Sequence, residues 1–227
     1  MHVRKNRLAA TGALAAMALL LSACGGDDQA ADSGSGQETE TQSSAAPTSE
    51  TSTSEMGNGM TTADDVYGPG CAQVPTDPNN EGSVQGMIDD PVGTAASNNP
   101  LLTSLTKAVK TAGLVDTLNK ADAEYTVFAP ADPAFEALPQ ETLNALLTDE
   151  SKKQQLTDIL TYHVVPKRMD AQGVVDAGSL ETVQGGSLTV EGSGQDFTVN
   201  GAKVLCGNVP TANATVFVID KVMMPES

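Results

Sequence analysis

The 227 residues carry 12 Lys and Arg against 29 Asp and Glu, a formal charge of −17. A chain of this length holds one domain with appendages, and its charge balance supplies no basic stripe for phosphates, so nucleic acid is not an expected partner. Trp is absent, the seven aromatic residues all lie at or beyond Tyr67, and His2 and His163 are the only histidines, which leaves little for histidine catalysis or metal binding.

The first 23 residues read as a secretory signal. Arg4, Lys5 and Arg7 form a positive flank, and Leu8 to Leu21 is an apolar run too short for a membrane span. Leu21-Ser22-Ala23-Cys24 follows and looks like a bacterial lipobox, in which Cys24 is acylated and becomes the new N-terminus. The alternative is an ordinary leader cut near Ala23. Two acyl chains would hold the protein on the outer face of the membrane, at about 0.8 kcal/mol per buried CH₂. Partial shedding from that surface is also expected. Loss of the leader removes three of the 12 bases and no acid, so the mature charge is near −20. Such a protein is repelled by anionic lipid.

Residues 24–65 are Gly, Ser, Thr, Ala, Gln and acids, and the nine acids from Asp27 to Asp65 meet no Lys or Arg. This composition predicts a disordered tether with an end-to-end distance of roughly 35 Å. Its Thr and Ser cluster around Pro47 offers sites for O-linked sugars, or serves as a bare spacer. The folded domain is expected over 66–227. Outside the cytoplasm the remaining cysteines, Cys71 and Cys206, read as a disulfide; a redox or metal pair is the alternative, without a CxxC motif to support it.

Within the domain, Asn98-Asn99-Pro100 opens a predicted helix with Leu101, Leu102, Leu105 and Val109 on one face, ended by Gly113. Leu114 to Leu118 adds a turn. Tyr125 to Ala129 is a short strand. Asp132 is placed to cap the next helix, with Pro133 at its first position. Leu138-Pro139 breaks that helix, and Leu143, Leu146 and Leu147 belong to another. Lys152 to Val164 is the clearest amphipathic helix, with Leu156, Ile159, Leu160, His163 and Val164 together. After Pro166 the pattern changes to short strands. Leu180–Val183 and Leu188–Val190 flank Gly185-Gly186, Phe197–Val199 and Ala202–Leu205 flank Asn200-Gly201, and Thr215–Val222 is the last. Helices first and antiparallel strands afterwards argue for an α+β fold.

Four separated segments, in order, carry a family resemblance. Tyr125-Thr126-Val127-Phe128-Ala129-Pro130-Ala131-Asp132-Pro133-Ala134-Phe135 resembles the first conserved box of fasciclin (FAS1) domains, and Leu160-Thr161-Tyr162-His163-Val164-Val165 resembles their Tyr-His motif. Val199-Asn200-Gly201-Ala202-Lys203-Val204 and the run from Val216 through Asp220 to Pro225 are similar to the second box. The cysteine pair and the segment from Cys206 to Val216 are similar to secreted and lipid-anchored fasciclin antigens of actinobacteria. Ala214 and Phe217 stand where relatives often carry Gly and His. The resemblance implies a compact β-wedge with helices packed around it, and a surface adhesion module without enzymatic activity or cofactor that binds an unidentified protein partner. It marks Thr126, Phe128, Pro130, Asp132, Phe135, Asn200, Gly201 and Asp220 as structural motif residues.

On the apolar helix face His163 reads first as a satisfied core residue. The functional reading places Tyr162 and His163 in or under a partner-binding surface. No Gly-x-Ser-x-Gly elbow exists and no free thiol remains for a Cys-His pair. Asp77 to Glu81 lacks the ligand spacing of a calcium loop. Asn213-Ala214-Thr215 fits an N-glycan sequon by pattern only. A lipid, glycolipid or other glycan ligand is the second expectation, held in an apolar groove between helices and sheet. A single domain of this charge is expected to be a monomer.

Overall fold

A computed structural model describes residues 59–225. The leader, Cys24 and most of the expected tether lie outside the described residues. The chain forms α1 (Val84–Met87), α2 (Val92–Asn98), α3 (Thr103–Ala112), α4 (Val115–Leu118), β1 (Tyr125–Pro130), α5 (Asp132–Glu136), α6 (Gln140–Thr148), α7 (Lys153–Tyr162), β2 (Val164–Val165) and α8 (Ala171–Ala177). Strands β3 (Ser179–Glu181), β4 (Ser187–Ser193), β5 (Asp196–Val199), β6 (Ala202–Pro210) and β7 (Ala214–Ile219) complete it. The expected α+β class holds.

The strands form a seven-stranded sheet in the order β2-β1-β7-β6-β5-β4-β3. The β1–β7 pair is parallel, with Thr126 opposite Thr215 and Phe128 opposite Phe217; the other pairings are antiparallel. Sequence reading expected antiparallel strands only, because parallel pairing between distant segments leaves no local signature. Beyond β3, the Val183 N–H donates to the Val164 carbonyl of β2 at 2.7 Å, so the two ends of the sheet meet and the sheet curls into a wedge.

All six residues of β7 are buried, because each face of the strand meets its own core. Alternation along the strand sorts them. Val216 and Val218 face Leu102, Leu105 and Val109 of the helical side together with Leu160 of α7. Phe217 and Ile219 face Phe128, Leu188, Phe197 and Val199, closed by Val174 of α8. Phe217 stacks on Phe128 with centroids 5.6 Å apart and meets Phe197 edge-on at 5.9 Å. The aromatic residue that stands where relatives often carry His is thus a core anchor.

Several boundaries move. α3 starts at Thr103, not at Asn98, because Asn99 turns the chain first: its side chain accepts the Leu101 N–H at 2.9 Å. α7 stops at Tyr162, and Val164 enters β2. α2 and α8 were not expected; each is seven residues long, too short for a clear helical period. Packing also begins before residue 66. Thr61 is buried, and Thr215 Oγ1 donates to the Gly59 carbonyl at 3.1 Å. Gly59 lies so close to the Arg168–Met169 backbone that a Cβ there would clash. This contact uses backbone and not apolar side chains, so composition does not reveal it.

Candidate functional site

Tyr162 ends α7 and His163 caps it, and both are buried. The Tyr162 hydroxyl donates to the Ser187 carbonyl at 2.9 Å and accepts from Asn200 Nδ2 at 2.7 Å. Asn200 and Gly201 form the tip of the β5–β6 hairpin with φ of 47° and 71°, as a tight two-residue turn requires. From there Asn200 Oδ1 accepts the Thr189 N–H at 2.7 Å. One side chain therefore ties the hairpin to β4 and to α7. Gly186 lies against the Tyr162 ring, where a Cβ would come within 2.9 Å.

His163 has no free nitrogen. Nδ1 is 2.8 Å from the Ile159 carbonyl and Nε2 is 3.0 Å from the Met223 amide nitrogen. The amide can only donate, so Nε2 accepts and the proton sits on Nδ1. Burial pushes the imidazole down to about 4, and the bond to Ile159 offsets only part of that. A neutral ring locked at both nitrogens is a strut between α7 and the segment after β7. It is the satisfied core residue of the first reading.

Above this pair lies an open groove of about 750 Å³, floored by Tyr162 and walled by Gln184, Ser187, Thr189, Lys221 and Met224. Met224 is 44% exposed, whereas its neighbour Met223 is buried. Tyr162 offers the groove only the small part of its ring that forms the floor, and His163 does not line it but holds the rim through Met223. Sequence reading missed the polar wall residues. The two hairpin turns, Gly185-Gly186 and Asn200-Gly201, were the available signal, since they bring the walls together.

The other motif residues hold the frame. Thr126 Oγ1 donates to the Lys167 carbonyl at 2.7 Å. Pro130 pairs with Ile219 in the parallel ladder, and Phe135 is buried. Asp220 accepts the Lys203 N–H at 2.8 Å and returns its own N–H to the Lys203 carbonyl at 3.1 Å, clamping the end of β7 to β6. Asp132 does not cap its own helix; α5 has Ala131 at its N-cap, and the carboxylate accepts from Ser104 N and Thr103 Oγ1 of α3, each at 2.7 Å. Asn213 is buried, accepts the Val92 N–H at 2.9 Å and donates to the Leu118 and Lys120 carbonyls. Its side chain is fully used, so the sequon pattern at 213–215 is not a glycan site.

Cys71 and Cys206 are bonded, with a Cα separation of 4.9 Å across 135 residues. Beside the bond, Tyr67 and Gly207 exchange backbone hydrogen bonds of 2.8 and 3.2 Å. The N-terminal segment is thereby fixed to β6. Among the described residues no three His, Cys, Asp or Glu gather to hold a metal ion, and no helix is long and apolar enough to cross a membrane.

The family model for the fasciclin domain matches residues 100–225. The chain belongs to the fasciclin family. Its fasciclin domain is similar to immunogenic protein MPB70 of Mycobacterium bovis, 50% identical over 169 residues that cover 72% of this chain and 84% of that protein. It is also similar to the cell surface glycolipoprotein MPB83 of Mycobacterium bovis, 48% identical over 174 residues, 72% of this chain and 74% of that one. Among solved structures, the FAS1 domain pair of the insect cell adhesion molecule fasciclin I matches with a TM-score of 0.56 and 19% identity, covering 63% of this chain and 54% of that one. This likeness supports the fold: the fasciclin wedge.

Proposed function

We propose that this fasciclin-domain protein is a surface interaction module, held outside the membrane by a lipidated Cys24 and its acidic tether, and that a protein partner docks over the Tyr162 groove. The observation that carries the reading is the groove's composition. An exposed thioether at Met224 stands beside the Gln184 amide and the Lys221 ammonium. Lys221 Nζ spends one proton on the Gly201 carbonyl at 3.1 Å and keeps two. This mixture suits a protein segment that lays an apolar side chain on Met224 and a carboxylate against Lys221. Tyr162 and His163 act from beneath as floor and strut. The one histidine of the domain has both nitrogens engaged by backbone and is not free to act as a general base. The relatives named as a cell surface glycolipoprotein and a cell adhesion molecule support the location and the class of activity.

The test is cross-linking of the anchored protein on intact cells, followed by mass spectrometry. A protein captured saturably by the wild type, and lost with Met224→Glu plus Lys221→Glu at unchanged Tm, is the expected result. Capture that survives both substitutions overturns the groove as the docking site. Absence of any saturable protein capture overturns the module itself.

A further inference from the structure

A cavity of about 60 Å³ lies on the opposite side of the sheet, between α2–α4 and strands β1, β2 and β7. Well-packed interiors hold few voids larger than a water molecule, whose share of liquid volume is about 30 Å³. The cavity wall runs from Val92 at the start of α2, along Leu105 and Val109, to Val164 and Val183. A void of that volume is well below the roughly 150 Å³ of an apolar cavity that takes benzene, so it has room for a few carbon atoms and no ring.

The lining is hydrocarbon even where its residues are polar. Ser97 Oγ donates to the Gly93 carbonyl, Thr106 Oγ1 to Ala96, Thr161 Oγ1 to Thr157 and Thr211 Oγ1 to Ala214, all at 2.8–3.0 Å. These hydroxyls have spent their protons on backbone and turn their carbon atoms inward. A water there would lack the two to four polar partners it needs. The wall also reaches solvent: Ser97 and Val183 are exposed, and Thr117 and Thr161 are half-buried. An apolar ligand can therefore enter and keep a polar end outside.

From this size and chemistry we infer that the cavity binds the terminal carbons of an unbranched alkyl chain, with the polar head at the mouth. A ring system is too large for the volume, and a polar ligand finds no partner. The site is separate from the Tyr162 groove, and its binding does not depend on a protein partner.

The test uses the polypeptide from Gly25 onward, which lacks Cys24 and so carries no acyl chain of its own, and a photoreactive C16 fatty acid. Expected is saturable labelling within residues 92–118, displaced by palmitate or by a lysophospholipid of equal chain length; the better competitor identifies the source of the chain. Ala96→Leu, which fills the cavity, should weaken labelling at least tenfold with Tm unchanged or raised. Val115→Phe serves if Ala96→Leu misfolds. Met224→Glu should leave the labelling as it is. Unsaturable labelling, displacement by neither competitor, or equal affinity in both filled variants overturns the inference.

Discussion

The Asp132 carboxylate lies 2.7 Å from the backbone nitrogen of Ser104, so a residue on α5 caps the start of α3, 28 positions earlier. Leu102 occupies the N-cap of α3 and has no side-chain oxygen to offer. The cap therefore comes from another element, and it welds the two helices. We predict that Asp132→Ala lowers stability by about 1–2 kcal/mol, the usual worth of a lost N-cap. Chemical denaturation measures it, and hydrogen exchange should show faster opening at Thr103–Thr106. Burial pushes this carboxyl up, but the hydrogen bonds from Thr103 and Ser104 together outweigh it and hold it below the ordinary aspartate value. Its contribution is therefore complete above the unfolded pKa of about 3.9 and is lost as pH falls through the lower folded value.

His163 has its own acid-side signature. Unfolded, it takes a proton below about 6.5; folded, it does so only near 4. Between those values the unfolded chain binds more protons, so stability is full above pH 6.5 and declines as pH falls toward 4. The total is on the order of 3 kcal/mol. Stability of His163→Gln, followed by urea melts from pH 4 to 7, should lose that slope. An unchanged slope would mean that the imidazole does not carry it.

Non-reduced peptide mapping should join Cys71 to Cys206. Opening this bond releases a loop of 135 residues, for which chain entropy gives about 5 kcal/mol as an upper figure. We expect Cys71→Ser with Cys206→Ser to lower Tm and to expose the amides of Tyr67 and Gly207 first. Two alkylatable thiols in the exported wild type would contradict the pairing.

Two glycines should fail differently. Gly201 has φ 71° and open space around it, so Gly201→Ala meets only backbone strain of about 1–2 kcal/mol. Gly207 lies against the Tyr67 ring, where a Cβ would sit 2.5 Å away. Gly207→Ala should cost up to about 3 kcal/mol through overpacking and loosen the Tyr67 bridge. Thermal melts rank the two, and the opposite order would locate the strain wrongly.

Much of the frame was legible where residues act locally. Asn200-Gly201 announced its hairpin because few other residues accept positive φ at both positions. Val109 and Leu160 announced their helix faces by period. That Tyr162 lies in or under a partner-binding surface was an expectation from family resemblance alone. What stayed hidden joins distant segments. Asp132 was read as a cap for its own helix because sequence shows neighbours, not the Ser104 that folding brings beside it. Asn213 showed only a sequon pattern, because its three backbone partners are supplied by α2 and by the end of α4 and the residues just after it. An apolar groove between helices and sheet was expected in outline, but not one of its lining residues could be named, since a void belongs to the gaps between side chains.

The parallel partnership of β1 with β7 has a consequence for timing. β1 ends at Pro130, and its neighbour in the sheet does not begin until Ala214. A chain emerging N-terminus first can form its helices early, yet the strand that divides the two cores is almost the last segment to arrive. Long-range pairings of this kind delay folding until loop closure can be rewarded. For a protein headed across a membrane as an extended chain, that delay is protective: the domain cannot become rigid before nearly all of it has passed through.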